Sequence, residues 1–101
     1  EGESAVMAVR MASIHLGKLR RINILQQNGA GAKEAAKAAG VFWKQEAEML
    51  RQARSWRLEA LDELGMFQHR MYATKTTGLP EQLIAERLLL EISARARRMG
   101  L

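Results

Sequence analysis

The stretch KTTGLP, residues 75–80, separates two interpretations of this chain. Lysine, threonine and glycine also make up phosphate-binding loops, but there the glycines precede the lysine and a helix begins after it. Here the order is reversed, since Gly78 and Pro80 follow Lys75. Lysine suits the last turn of a helix, glycine the position past its end, and proline the first turn of the next. The stretch therefore predicts a joint between two helices and not a nucleotide site.

Helices extend outward from this joint over most of the chain. A single proline in 101 residues, with few turn clusters, favours an all-α fold of one domain. Ser4 is a candidate N-cap for the first helix, and NGAG (28–31) and Gly40 supply glycines where helices can end. We predict a five-helix bundle, with helices over about residues 4–28, 32–39, 41–55, 57–77 and 80–99.

The composition limits the class of protein. With 48% hydrophobic and 27% charged residues, the chain is neither disordered nor membrane-spanning. No apolar run approaches the roughly 18 residues that cross a bilayer, and no signal-peptide pattern is present. The absence of cysteine excludes disulfides and thiolate metal sites, and fits a cytoplasmic location. Because the first residue is Glu1 and not methionine, we expect the chain to be part of a longer protein.

The basic charge suggests a nucleic-acid partner without establishing one. The net charge is +5 and the pI is about 10.2. Charges of both signs are mixed along most of the chain, which is typical of solvated helices. The exception is the C-terminal end, where no acid follows Glu91 while Arg95, Arg97 and Arg98 do.

Two helices are apolar over wider arcs than a surface helix needs. In the first helix the side formed by Val9, Ala12, Leu16 and Leu19 is widened by Met7, Met11, Ile14, Ile22 and Leu25. In the fifth, Ile84, Leu88 and Ile92 share one side, whereas LLL (88–90) directs leucines three ways. Such a helix is either a central core helix or has a face that a neighbouring subunit covers. Both interpretations stay open at this point.

The sequence contains no recognisable catalytic, cofactor or metal site. His15 and His69 lie on different predicted helices and have no metal-ligand spacing. Asp62 and Glu63 are adjacent, so they point to different sides of one helix and cannot flank one substrate bond. No Ser-His-Asp order or nucleophile elbow is present. We also expect the two glycines inside helices, Gly17 and Gly65, to mark close helix packing.

The aromatic residues leave a nucleic-acid hypothesis open. Phe42, Trp43, Trp56, Phe67 and Tyr72 are expected mainly in the core or at an interface. Lys44, Arg51, Arg54 and Arg57 lie close to the tryptophans in sequence, as in a base-stacking surface.

Helices two and three also have the proportions of a helix-turn-helix. The first turn VFWK (41–44) is apolar, however, where a recognition helix should be polar. Glu46 and Glu48 would also face the phosphates of DNA, and their negative charges would repel them. DNA binding through this surface is therefore the weaker alternative.

The order of these features resembles the C-terminal domain of the delta subunit of bacterial DNA polymerase III. The resemblance rests on GVFWKQEAEMLRQARSW (40–56), LEALDEL (58–64) and YATKTTGLPEQLIAERLLLEISARARR (72–98). ESAVMAVRMASIHLGKLRRI (3–22) is similar to the first helix of that domain, so the resemblance covers nearly the whole chain. The family often carries an acidic residue a turn before the lysine, where this sequence has Met71.

This resemblance implies a specific function. Delta subunits belong to the clamp loader of the polymerase III holoenzyme, a nucleotidyltransferase complex, and are not its ATP-hydrolysing members. Their C-terminal helical domains pack with those of the tau/gamma and delta-prime subunits into a collar. The sliding clamp and primed DNA would be reached only through the complete complex, since the clamp-opening contact lies in the AAA+-like N-terminal part. The resemblance thus implies a noncatalytic oligomerisation domain in the bacterial cytoplasm.

The expected interface combines the surplus apolar faces of helices one and five with residue types that carry interface energy. The candidate interface residues are Trp43, Trp56, Leu88, Leu89, Arg95, Arg97 and Arg98.

Overall fold

The computed structural model describes residues 2–73 and 80–101, with side chains from Ser4 onward. In this part of the chain five α-helices form a bundle and no strand is present, which confirms the predicted fold class. The helices are α1 (Gly2–Gln27), α2 (Ala32–Ala38), α3 (Glu46–Ser55), α4 (Leu58–Ala73) and α5 (Glu81–Arg98), with a short 3-10 helix (Trp43–Gln45) before α3.

Glycines end the first two helices where the sequence predicts. Gly29 and Gly40 both have positive φ, a conformation that costs glycine little. The Gly40 N–H donates to the Lys37 carbonyl at 3.0 Å, and the Val41 N–H donates to the Ala36 carbonyl at 3.1 Å. This pair of bonds is a Schellman motif, which satisfies carbonyls that the helix itself leaves unpaired. The two turns fold α2 and α3 back against α1.

The first helix runs through the centre of the bundle and packs against all four others. The larger core cluster lies along its C-terminal half, where Leu19 and Ile22 are completely buried against α2, α3 and α4. A second cluster joins Val9 of α1 to Ile84 and Leu88 of α5. Burying one large aliphatic side chain contributes about 1.5–3 kcal/mol, so these few residues account for much of the packing energy.

Several predicted helix boundaries are wrong by a few residues. The third helix was expected from residue 41, but Phe42 has extended backbone and α3 begins only at Glu46. The intervening residues form the 3-10 helix, closed by a hydrogen bond of 2.8 Å from the Gln45 N–H to the Phe42 carbonyl. Ser4 is not an N-cap either, because α1 already includes Gly2. Helix ends marked by glycine were thus predicted more accurately than helix starts that lack a polar cap residue.

The joint that separates the two interpretations lies mostly outside the described residues. The fourth helix is described to Ala73, so its expected extent to residue 77 is not covered. Pro80 stands immediately before α5 as its N-cap, and its carbonyl accepts hydrogen bonds from the Leu83 and Ile84 N–H groups. Within residues 2–73 and 80–101 no helix is both long and apolar enough to span a membrane.

The two glycines inside helices do not mark close packing, contrary to expectation. A Cβ atom added at Gly17 or at Gly65 would have no heavy atom within 4 Å. Since glycine in a helix interior is about 0.8–1 kcal/mol less favourable than alanine, both positions carry a cost without a steric reason.

Candidate interaction surface

The two tryptophans occupy opposite environments at the two ends of the α3 segment. Trp56, directly after α3, is 3% exposed and packs in the larger core cluster. Trp43, in the 3-10 helix before α3, is 73% exposed. Exposed tryptophan of this extent is uncommon, because the side chain removes more apolar area from water than any other when it is covered. Trp43 is therefore the main candidate for contact with a partner.

A buried asparagine explains why the C-terminal end of α3 is fixed. Asn23 of α1 is 6% exposed, and its Nδ2 donates to the carbonyls of Trp56 at 2.8 Å and Ala53 at 3.3 Å. It also donates to the Leu19 carbonyl in its own helix, at 3.1 Å. The last carbonyls of a helix have no partner within the helix, and this amide supplies one from α1. Asn23 was not predicted from the sequence, where its only signal is a polar residue next to the apolar residues of NIL (23–25).

Six apolar side chains, five of them exposed and one half-buried, form what we call the corner patch. The patch consists of Met7, Met11, Ile14, Val41, Phe42 and Trp43. Met7, Met11 and Ile14 follow one side of α1 at helical spacing, and each is more than half exposed. Val41 joins the two parts, because it borders one hollow with Met11 and Ile14 and another with Phe42 and Trp43. Exposed apolar side chains grouped in this way are a candidate interaction site.

The aromatic pair in the corner patch has a defined arrangement. The ring centroids of Phe42 and Trp43 lie 5.8 Å apart, with the planes tilted by 50°. The Nζ atom of Lys44 lies 5.4 Å from the Trp43 ring centroid, within the range of a cation–π contact. Trp43 in the 3-10 helix and Phe42 just before it are both exposed, and the hydrogen bond from the Gln45 N–H to the Phe42 carbonyl fixes this turn.

Charges around the corner patch are mainly positive. Lys18 borders the hollow beside Ile14, while Lys33 and Lys37 of α2 border the hollow beside Trp43. Glu34 and Glu46 lie in the second hollow as well. With Lys44 included, four lysines and two glutamates ring the apolar centre, which favours a partner that is acidic at its rim.

A polar network holds α3 against α1 next to the corner patch. His15 Nε2 donates to Gln52 Oε1 at 2.6 Å, and Gln52 Nε2 donates to Glu48 at 2.8 Å. Arg51 donates to both carboxylate oxygens of Glu48, at 3.0 and 2.6 Å. The hydrogen bonds from Arg51, and then the one from Gln52, lower the pKa of Glu48 to about 2. The bond to the Glu48 carboxylate in turn raises the pKa of Arg51. His15, which has no metal-ligand spacing in the sequence, thus has a structural partner.

A second exposed apolar area lies on α5. Leu88 is buried, Leu89 is half-buried and Leu90 is 67% exposed, so the three consecutive leucines point in three directions as predicted. Leu83, two turns before Leu90 on the same side of the helix, is also exposed. We call Leu83 and Leu90 the α5 patch.

The arginines at the C-terminal end differ in how accessible their side chains are to a partner. The guanidinium of Arg95 is largely buried and donates to Glu91 at 2.7 Å and to Glu63 at 3.3 Å. Arg97 and Arg98 are exposed in the last turn of α5, where cations suit the helix dipole.

The predicted interface residues therefore divide into three groups. Trp56 and Leu88 lie inside the core and offer no surface to a partner in this fold. Arg95 is committed to carboxylates of its own chain, while Arg97 and Arg98 remain accessible. Trp43 is fully accessible, and Leu89 partly so. The structure places Val41 on one hollow with Met11 and Ile14 of α1, which the sequence did not predict.

The acidic residues and the histidine of α4 lie apart from one another in their contacts. Asp62 pairs with Arg20 and Glu63 with Arg95, so the two adjacent acids do point to different sides of α4. His69 is exposed on α4. In the described ranges no three His, Asp or Glu side chains converge as a metal ion would require.

Comparisons with protein-family models, with curated proteins and with solved structures returned no match.

Proposed function

We propose that this domain is a noncatalytic assembly module, and specifically a collar domain of a DNA polymerase III delta-like subunit in the bacterial cytoplasm. The observation that carries the assembly role is the corner patch, where Phe42 and Trp43 are exposed and Val41 borders both their hollow and the one that Met11 and Ile14 of α1 line. The resemblance of the sequence to delta subunits supplies the identity of the partners, the tau/gamma and delta-prime subunits.

Energetics support a protein partner for the corner patch. Apolar area removed from water contributes about 25 cal/mol per Å², so covering a tryptophan of roughly 200 Å² favours association by several kcal/mol before binding costs. Tryptophan is also among the residues that most often dominate interface energy. A rim of lysines would orient an acidic partner and speed the encounter.

The α5 patch would give the domain a second contact surface, as a subunit of a closed ring needs. Each subunit of a closed ring contacts two neighbours through different surfaces. The corner patch is built from α1 and the segment before α3, whereas the α5 patch is formed by Leu83 and Leu90. We assign one neighbour to each patch.

Isothermal titration calorimetry of this 101-residue chain against the purified C-terminal domains of tau/gamma and delta-prime tests the proposal. We expect binding of at least one partner. The double substitution Phe42→Ser with Trp43→Ser should weaken it at least tenfold, and Leu83→Ser with Leu90→Ser should affect the other partner. Reversal of Arg97 and Arg98 to Glu, combined with Leu89→Ala, tests the predicted C-terminal contact. Absence of binding by the unmodified chain would refute the collar assignment.

The exposed aromatic pair also favours a second candidate function, binding of single-stranded nucleic acid. Bases stack on exposed aromatic rings next to lysines, and Phe42 and Trp43 have Lys33, Lys37 and Lys44 around them. Duplex recognition by a helix-turn-helix is less well supported, because the first turn before α3 is a 3-10 helix that displays Trp43 where polar groups should meet base edges.

Fluorescence anisotropy with labelled single-stranded and duplex oligonucleotides separates the candidates. Nucleic-acid binding predicts an affinity that falls steeply with salt and is lost in Trp43→Ala. Assembly as the sole function predicts weak binding to both oligonucleotides that Trp43→Ala leaves unchanged. Glu34 and Glu46 beside the rings favour the second result.

A further inference from the structure

A cleft of about 220 Å³ opens between α1, α4 and α5, and it is separate from the corner patch. Its walls are largely apolar and come from all three helices. The apolar wall residues are Val9, Leu16, Leu61, Leu64, Leu88 and Ile92. The cleft is open to solvent on one side, so a ligand can enter without unfolding of the bundle.

The two glycines inside helices line this same cleft. Gly17 lies on α1 and Gly65 on α4, and a methyl group at either position would have no heavy atom within 4 Å. Alanine would therefore fit, and it would favour the helix at both positions. The pair of glycines therefore keeps the cleft wide at a cost to helix stability. Such a cost is expected if the cleft holds an occupant.

The polar groups of the cleft define the chemistry of that occupant. Ser13 and Gln68 supply hydroxyl and amide groups for hydrogen bonds. Arg20 also lines the cleft, but its guanidinium is paired with Asp62, so the pair presents no net charge. Apolar walls, two neutral polar groups and a neutralised ion pair match a ligand that is itself uncharged.

We propose that the cleft binds a small uncharged aromatic molecule that carries one hydroxyl or amide group. An apolar cavity of roughly 150 Å³ accepts benzene, so a cleft of this size accommodates one ring with a polar substituent. The ring lies among Leu16, Leu64 and Ile92, and the substituent bonds to Ser13 or Gln68. This site does not depend on the proposed assembly function.

A titration of the isotope-labelled chain with phenol, followed by NMR, tests the site. We expect saturable shifts of the methyl groups of Leu16, Leu64 and Ile92, with those of Met11 and Ile14 in the corner patch unchanged. The double substitution Gly17→Ala with Gly65→Ala should raise Tm by about 5 °C or more and weaken phenol binding at least fivefold. Ser93→Ala, at an exposed position on α5 outside the cleft, is the matched control and should leave the affinity unchanged.

Three results would overturn the proposal. The first is an absence of saturable shifts, or shifts centred on the corner patch. The second is a Gly→Ala double variant that binds phenol as tightly as the unmodified chain, or that is destabilised. The third is benzoate binding at least as tightly as phenol, because that would show that Arg20 acts as an unpaired cation.

Discussion

Trp43 and Trp56 flank the same helix, yet one is exposed to solvent and the other is buried. Trp56 follows the last turn of α3, where Asn23 of α1 binds its carbonyl and the ring enters the core. Trp43 lies in the 3-10 helix before α3, where its ring is exposed. Because both residues are tryptophan, the difference in exposure comes from the local backbone and from the hydrogen bond that Asn23 of α1 donates. Burial gives Trp56 a role in folding, and exposure is the reason that we propose a role in recognition for Trp43.

The largest expected effect is loss of the buried tryptophan. Trp56→Ala should lower the free energy of unfolding by about 3–5 kcal/mol, since it removes a large core side chain and leaves a cavity. Urea denaturation monitored by circular dichroism measures this change. A loss below about 1 kcal/mol would show that the surrounding side chains collapse into the space and that Trp56 is not a central core residue.

The asparagine that fixes the C-terminal end of α3 should have the next largest effect. Asn23→Ala leaves the Ala53 and Trp56 carbonyls without their donor, and we expect a loss of about 1–3 kcal/mol. Gln26→Ala, at an exposed position on the same helix, is the control and should change stability by less than about 0.5 kcal/mol. Equal effects of the two substitutions would rule out a specific role for the Asn23 amide.

Trp43→Ala should separate stability from recognition. Because the ring is mostly exposed, the free energy of unfolding should change by less than about 0.5 kcal/mol. Affinity for the partner that covers the corner patch should fall by about 2 kcal/mol, or roughly thirtyfold. Thermal unfolding and calorimetry of the same preparation measure the two quantities. A destabilisation comparable with that of Trp56→Ala would erase the contrast between the tryptophans.

The smallest expected effect is the dependence of stability on pH through Glu48. The folded pKa of Glu48 is about 2, below its ordinary value of 4.5, because Arg51 and Gln52 donate to the carboxylate. The resulting stabilisation is fully present above pH 4.5 and is lost as pH falls toward 2. NMR titration of the side-chain carboxyl carbons should find the Glu48 midpoint well below the ordinary value of 4.5. Arg51→Ala should return the Glu48 midpoint toward its ordinary value, and a midpoint unaffected by this substitution would refute the cause.

The sequence predicted the helices and their ends more accurately than it predicted which side chains are exposed. Helices ended by Gly29 and Gly40 could be placed because glycine there satisfies a local backbone requirement. Helix periodicity also predicted the divergent directions of the leucines at 88–90. Periodicity could not tell Trp43 from Trp56, because their exposure depends on a 3-10 helix and on Asn23, a contact distant in sequence.

The same limit explains the error about Gly17 and Gly65. A glycine in a helix can mark either close packing or open space, and only the neighbouring helices distinguish the two. The pairing of Met11 and Ile14 with Val41 likewise needs the fold of the α2–α3 segment against α1, which no local pattern contains.

The most direct test of the central claim is acrylamide quenching of Trp43 fluorescence in the Trp56→Phe chain, with folding verified by circular dichroism. The account predicts strong quenching in the free chain, as the exposure of 73% requires, and at least a threefold reduction when the tau/gamma or delta-prime C-terminal domain is bound. Partner domains that bind and leave the quenching of Trp43 unchanged would contradict the claim that the corner patch is the docking surface.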